Sequence, residues 1–185
     1  MTSREIVRRT LDFENPERVA RSFDGSDFLG AGNTVKTPAT GWEEVSPDKW
    51  ERTDEWGNLW GRIDPTSKGE VVRGVLETVD DLDDYVLPDY SNPDDYAVAR
   101  RRREEHADMW LNGGIPGFAF NIARKMFKLE EYLVELMVNR ERIHALHDRI
   151  DRMLEDMIIN YADAGVDGIT FGEDWGTQTQ LLINP

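Results

Sequence analysis

The sequence predicts an α/β fold, and two observations support this prediction. Two short apolar segments, 109–115 and 166–171, have the pattern of β-strands, and helical segments fill the chain between them. The clearest helix has large apolar residues at three- and four-residue steps, which gives it one apolar face. These residues are Ile143, Leu146, Ile150, Met153, Leu154, Met157, Ile158 and Tyr161. Strand, helices and strand in this order form a βαβ unit, in which the two strands are parallel.

Residues 1–91 are predicted to form an N-terminal extension of helix, loops and β-hairpin. Thr2 and Glu5 have the spacing of a capping box, so a helix is expected over residues 3–12, and an Asn-Pro pair ends it. The following stretch is rich in glycine, and a short extended segment is expected near residues 19–23.

A hairpin is expected over residues 54–63, because aromatic residues flank the turn dipeptide Gly57-Asn58. Residues 71–75 follow as a returning strand, and the acidic segment 79–85 is predicted to be a short helix.

Residues 92–185 are predicted to form the first βα units of a larger fold. A helix is expected from Asn92 to about His106, and two more at 119–127 and 130–138. The long helix follows and ends before Gly165, and another helix would begin at Asn184-Pro185. Because two parallel strands cannot make a sheet core alone, the sequence predicts that the chain stops within a fold.

Composition excludes several classes of protein. The net charge of −15 repels phosphate backbones, so nucleic acid is not an expected partner. The sequence contains no run of 18 apolar residues, so no membrane span is predicted. The N-terminus lacks the apolar stretch of a signal peptide. The chain has no cysteine, so disulfides and thiolate metal sites are impossible and the cytoplasm is the expected compartment.

The loop after the second predicted strand is the best candidate site. Glu173 and Asp174 are adjacent carboxylates at a strand end, where they can serve in acid–base chemistry or hold a cationic centre. Trp175 offers a ring face and Gln178 a neutral hydrogen-bonding group. The alternative is that one of the two carboxylates only caps a helix, and the local pattern favours neither.

For the remaining candidates, the local pattern favours a structural role over a functional one. Asp54, with the nearby tryptophans, fits a packed hairpin turn better than a site. The glycine-rich loop after the first predicted strand fits a tight turn better than a phosphate loop, since it lacks the GxGxxG spacing. His144 and His147 are three residues apart on a helix, and packing explains them better than metal binding.

Four stretches together resemble the uroporphyrinogen decarboxylase superfamily, and its corrinoid-dependent methyltransferase branch most of all. They are SREIVRRTLDFENPERV at 3–19, DEWGNLW at 54–60, the Gly-Gly-Ile-Pro loop at 113–116, and ADAGVDGITFGEDWGTQTQLLINP at 162–185. The last phrase is the most specific. The resemblance spans nearly the whole chain but only the first half of the family's length.

The resemblance implies the N-terminal part of a (β/α)8 TIM barrel, with the barrel incomplete and a substrate cleft at the carboxyl ends of the strands. It places Glu173, Asp174, Trp175 and Gln178 on the cleft wall. It places Asn112 at the end of the first strand. Asp54 and Trp56 fall where the family's N-terminal hairpin approaches the cleft.

The resemblance implies methyl transfer involving a corrinoid carrier or a methylated small molecule, with this chain forming part of the cleft. Porphyrinogen decarboxylation in heme biosynthesis is the alternative. The region that is arginine-rich in those enzymes reads RVARSFDGSDFLG at 18–30 here, and its only arginines are Arg18 and Arg21, which argues against this alternative. The family's zinc ligands lie in its second half, so this chain is expected to bind no cofactor alone and to lack activity. A non-catalytic half-barrel remains a rival. Expected partners are a small molecule or corrinoid protein, and a second copy or a missing C-terminal half.

Overall fold

The structure is a computed structural model that describes residues 1–183 and has a mixed α/β fold. The α-helices are α1 (Ser3–Leu11), α2 (Ala97–Glu105), α3 (Ala119–Met126), α4 (Leu129–Val138) and α5 (Arg140–Asp163). The strands are β1 (Phe28–Gly30), β2 (Glu43–Ser46), β3 (Lys49–Thr53), β4 (Leu59–Arg62), β5 (Glu70–Arg73), β6 (Trp110–Gly114) and β7 (Gly168–Thr170). Two short 3₁₀ helices span Val79–Asp83 and Pro93–Tyr96. The predicted α/β class is therefore confirmed, while the helix expected at Asn184-Pro185 lies outside the described residues.

The chain divides into two units, each built from three separate segments. The first unit contains Met1–Val35, Tyr90–Ile115 and Leu154–Phe171. The second unit contains Lys36–Asp89, Pro116–Met153 and Gly172–Pro185. Within residues 1–183, no helix is both long and apolar enough to cross a bilayer.

A three-stranded parallel sheet forms the centre of the first unit. Its order is β1-β6-β7, with Gly30 opposite Asn112 and Asn112 opposite Gly168. The two strands predicted from the sequence are parallel neighbours, as expected. In the described part of the chain the sheet is open, with β1 and β7 at its edges, and no closed barrel is present.

The first strand of this sheet is not where the sequence placed an extended segment. Residues 19–23 form no strand; β1 begins at Phe28 instead. Val19 and Phe23 are both about three-quarters exposed, so neither contributes to a core. The segment bends around the buried Asp27, whose carboxylate accepts a hydrogen bond from the Arg21 backbone amide at 3.0 Å.

The long helix α5 has the apolar face that its spacing predicts. Seven of the eight stripe residues are buried, and Ile158, at 37% exposure, is the exception. In the first unit, Tyr161 of α5 packs against the sheet at Gly113. A Cβ at Gly113 would lie 2.7 Å from the Tyr161 ring, so only glycine allows this approach.

A four-stranded antiparallel sheet, in the order β2-β3-β4-β5, belongs to the second unit. The predicted hairpin is confirmed, with β3 and β4 joined by a turn at residues 54–58. The returning strand also forms, as β5 over Glu70–Arg73. Strand β2 was not predicted, because all four of its residues are exposed and its sequence, EEVS, lacks an apolar alternation.

Gly74 marks the closest approach between the end of this sheet and α3. A Cβ at Gly74 would lie 2.1 Å from the carbonyl oxygen of Met126, which also accepts a hydrogen bond from the Leu76 amide at 2.9 Å. The clash is with backbone, so a side chain cannot relieve it by rotating. We expect Gly74→Ala to lower the free energy of unfolding by about 2 kcal/mol.

Urea denaturation of the purified chain measures this change. Gly41→Ala is the matched control, because Gly41 has no atom within 4 Å of its added Cβ. Equal stabilities for the two variants would contradict the proposed contact.

Candidate functional site

The loop after β7 and the first turns of α3 form one polar cluster in the second unit. We call it the strand-end site. Its members are Gly117, Phe118, Asn121, Arg124, Glu173, Asp174 and Trp175.

Glu173 holds the strand-end site together. Its carboxylate accepts a hydrogen bond from the backbone amide of Phe118, the N-cap residue of α3, which has no side-chain cap of its own. It also accepts one from the Trp175 indole Nε1 at 2.8 Å. A negative charge is favourable at a helix N-terminus, where backbone N–H groups lack partners. Glu173 therefore fixes both the start of α3 and the Trp175 ring.

Asn121 and Gly117 close the site from the α3 side. The buried Asn121 side chain donates to the carbonyl of Pro116 at 3.2 Å and to that of Gly172 at 3.3 Å. Gly117 has a φ of +112°, and an added Cβ would lie 2.8 Å from the Glu173 carboxylate. Only glycine fits both this backbone conformation and this space.

Arg124 and Asp174 form the more open side of the site. The Arg124 guanidinium donates to Asn121 Oδ1 at 3.0 and 3.2 Å, which sets its orientation. It lies 3.6 Å from the Asp174 carboxylate, which is 67% exposed. An ion pair of this length and exposure is weak, so an anionic ligand could displace Asp174 from Arg124. Trp175 packs against Phe120, with ring centroids 5.6 Å apart, and remains 48% exposed.

Lys125 adds a second cationic group beside these residues. Burial lowers the pKa of the Lys125 amine, and the charge of Glu55 partly opposes this effect. A half-buried lysine with a lowered pKa is a common feature of functional sites, and of internal charge clusters as well.

The structure brings together three of the predicted site residues and separates the others. Glu173, Asp174 and Trp175 are neighbours in the strand-end site, and Gln178 is exposed further along the same loop. Asn112 belongs to β6 in the first unit, where its Oδ1 accepts a hydrogen bond from the Trp110 indole at 3.0 Å.

Asp54 and Trp56 are both buried in the turn between β3 and β4. The Asp54 carboxylate accepts four hydrogen bonds, from the amides of Trp56 and Asn58, the Asn58 side chain and the Trp60 indole, at 2.6–3.0 Å. This bonding assigns Asp54 to the turn.

Sequence reasoning missed Asn121, Arg124 and Lys125. Their position in the sequence could have indicated them, because they lie soon after the glycine-rich loop. Asn121 and Arg124 also share one face of α3. Nothing in their local pattern distinguishes them from ordinary helix residues, because contacts such as that of Asn121 with the Gly172 carbonyl join residues 51 positions apart in the chain.

His147 packs against Tyr132 of α4, whereas His144 is exposed. The hydroxyl of the buried Tyr132 lies 2.9 Å from His147 Nε2, and burial lowers the pKa of His147. In residues 1–183, no three His, Asp or Glu side chains come together as metal ligands, and the chain has no cysteine.

We compared the chain with protein-family models, curated proteins and solved structures, and none of them matched.

Proposed function

We propose that the chain forms the first part of a (β/α)8-barrel enzyme and that the strand-end site lies on the wall of its small-molecule cleft. One observation carries this proposal. The parallel strands β1, β6 and β7 are adjacent in the order in which they occur in the chain, which is the arrangement of consecutive barrel strands. Barrel enzymes place their active sites in the loops after the strands. The strand-end site includes such a loop, beginning two residues after β7 ends.

The proposed reaction is methyl transfer involving a corrinoid carrier or a methylated small molecule, as the resemblance implies. A corrinoid, when bound, would supply or accept the methyl group. The exposed face of Trp175 fits contact with such a flat macrocycle. Arg124 would bind an anionic group of the ligand, and Glu173 would keep the loop and the Trp175 ring in position.

The partners of Arg18 and Arg21 argue against porphyrinogen decarboxylation. The Arg18 guanidinium makes two hydrogen bonds to the buried Asp27 carboxylate, at 2.5 and 2.6 Å. Arg21 donates from Nε to the Gly25 carbonyl at 3.1 Å. Arg18 is thus already paired and is not free to hold substrate carboxylates.

Isothermal titration of the intact chain with methylcobalamin tests the proposal. The resemblance implies that this chain alone binds no cofactor, but the strand-end site lies wholly within the chain, so we now expect measurable binding. We expect Glu173→Ala to weaken it about tenfold, equivalent to about 1.4 kcal/mol, because the Trp175 ring and the loop lose their anchor. Glu130→Ala is the matched control, since it removes the same charge from an exposed position on α4. Its affinity should equal that of the unsubstituted chain.

Three outcomes contradict the proposal. If methylcobalamin does not bind, or binds Glu173→Ala and Glu130→Ala equally well, the strand-end site is not part of the cleft. Binding of uroporphyrin III in its place favours the decarboxylase alternative. A folded chain that binds neither molecule favours the non-catalytic half-barrel.

A further inference from the structure

Alternating tryptophan and arginine side chains stack on one face of the antiparallel sheet. The Arg52 guanidinium carbon lies 5.0 Å from the Trp60 ring centroid and 5.2 Å from that of Trp42. The Arg62 guanidinium carbon lies 4.3 Å from the same Trp42 centroid. The stack therefore runs Trp60, Arg52, Trp42, Arg62, and we call these four residues the ladder.

Strand register explains why the ladder forms. Arg52 on β3 is opposite Trp60 on β4, and Arg62 is opposite Trp50. Residues two apart on a strand share a face, so the two cross-strand pairs place their cations and rings side by side. A cation within about 6 Å of a ring centroid is attracted because the face of an aromatic ring carries a partial negative charge.

Two contacts hold the tryptophans of the ladder in place. The Trp60 indole donates to the buried Asp54 carboxylate at 2.6 Å. Trp42 packs on Gly69, where an added Cβ would lie 2.7 Å from the ring. The Arg52 guanidinium between these two rings, and the Arg62 guanidinium on the outer face of Trp42, are therefore oriented before any ligand arrives, which lowers the entropy lost on binding.

The two guanidiniums of the ladder are not neutralised by the protein. Within residues 1–183, neither Arg52 nor Arg62 forms an ion pair, and the Nε of each is buried without an acceptor. Arg62 makes one long hydrogen bond, 3.4 Å to the Ser67 carbonyl. Other arginines of the same unit do pair with carboxylates, as Arg124 does with Asp174. Both positive charges of the ladder are therefore left for a ligand.

We propose that the ladder is a binding site for a small oxyanion, a carboxylate or a phosphate. Rings lie on both sides of the Arg52 guanidinium and on one side of the Arg62 guanidinium, which leaves the edges of both for in-plane hydrogen bonds. The planar fork of arginine matches both kinds of anion. Arg52 and Arg62 are each only partly buried, so a ligand can reach them. The net charge of −15 repels a long polyanion, which restricts the ligand to a small molecule. The ladder shares no residue with the strand-end site.

Titration of the intact chain at low salt with pyrophosphate and, separately, with citrate tests this site. We expect at least one of them to bind and to shift the indole N–H resonance of Trp60. Binding of pyrophosphate alone identifies a phosphate ligand, and binding of citrate alone identifies a carboxylate. Arg52→Gln and Arg62→Gln should each weaken the binding about tenfold. Arg52→Lys keeps the charge but loses the fork, so it should also weaken binding.

Arg73→Gln is the matched control, because Arg73 is an exposed arginine of the same sheet, outside the ladder. Its affinity should change less than twofold. The proposal is overturned if neither probe binds at millimolar concentration, or if Arg73→Gln weakens binding as much as Arg52→Gln. Should a glutamine variant fail to fold, the indole resonances of the unsubstituted chain decide: a bound probe that leaves Trp60 unshifted also overturns it.

Discussion

Replacing Asp54 with alanine is expected to lower the free energy of unfolding by about 4 kcal/mol, because several buried donors lose their shared acceptor. The Asp54 side chain is 2% exposed, and two of its four donors are backbone amides in the turn between β3 and β4. Water cannot easily replace the carboxylate there. Urea denaturation of the purified chain at pH 7 gives the value.

Two further variants separate the hydrogen bonds of Asp54 from its charge. Asp54→Asn keeps the shape of the side chain but places an amide NH₂ group among hydrogen-bond donors. It should therefore lower the free energy of unfolding by about 2 kcal/mol, half the effect of Asp54→Ala. Asp64→Ala removes a comparable turn carboxylate, which accepts bonds from Thr66 and Ser67 at exposed positions. Its effect should be much smaller, since water can take over these donors. If Asp54→Ala and Asp64→Ala have equal effects, burial is not the cause.

Replacing Asp27 with asparagine is expected to lower the free energy of unfolding by about 3 kcal/mol at pH 7, because Arg18 then loses its charge partner. Asp27 is fully buried and also accepts hydrogen bonds from the Ser3 hydroxyl and the Arg21 amide. The exposed Asp24, in the same loop, provides the matched control. Asp24→Asn should leave the stability unchanged.

The loss caused by Asp27→Asn should depend on pH. The Arg18 guanidinium holds the pKa of Asp27 well below its value of 3.8 in an unfolded chain. A carboxyl with a lowered pKa in the folded state stabilises the fold above its unfolded pKa, and this contribution is lost as the pH falls below that value. Denaturation midpoints of the two proteins should therefore converge on acidification from about pH 4 downwards. A difference that stays constant to pH 2 would contradict the assignment.

Part of the candidate site followed from the sequence. A polar loop directly after an apolar strand predicted that Glu173, Asp174 and Trp175 belong together, and they are neighbours in the structure. The sequence left open whether a carboxylate caps a helix. Glu173 does bind the N-terminus of α3, although that helix precedes it in the chain by about 50 residues. This contact depends on how the two segments fold together, so local spacing could not reveal it.

Features with a regular period or a local cap were determined by the sequence alone. The capping box of α1, the apolar face of α5, the hairpin turn and the separate extended segments of β6 and β7 all follow from residues close together in the chain. The parallel direction of β6 and β7 followed from the order strand, helices, strand. Pairings between distant segments were decided only by the tertiary structure. Strand β1 forms by pairing with β6, and the ladder forms between cross-strand neighbours. The strand-end site forms through contacts between residues 51–55 positions apart. The physical reason is that such pairings depend on which surfaces meet on folding, and one-dimensional spacing does not encode that.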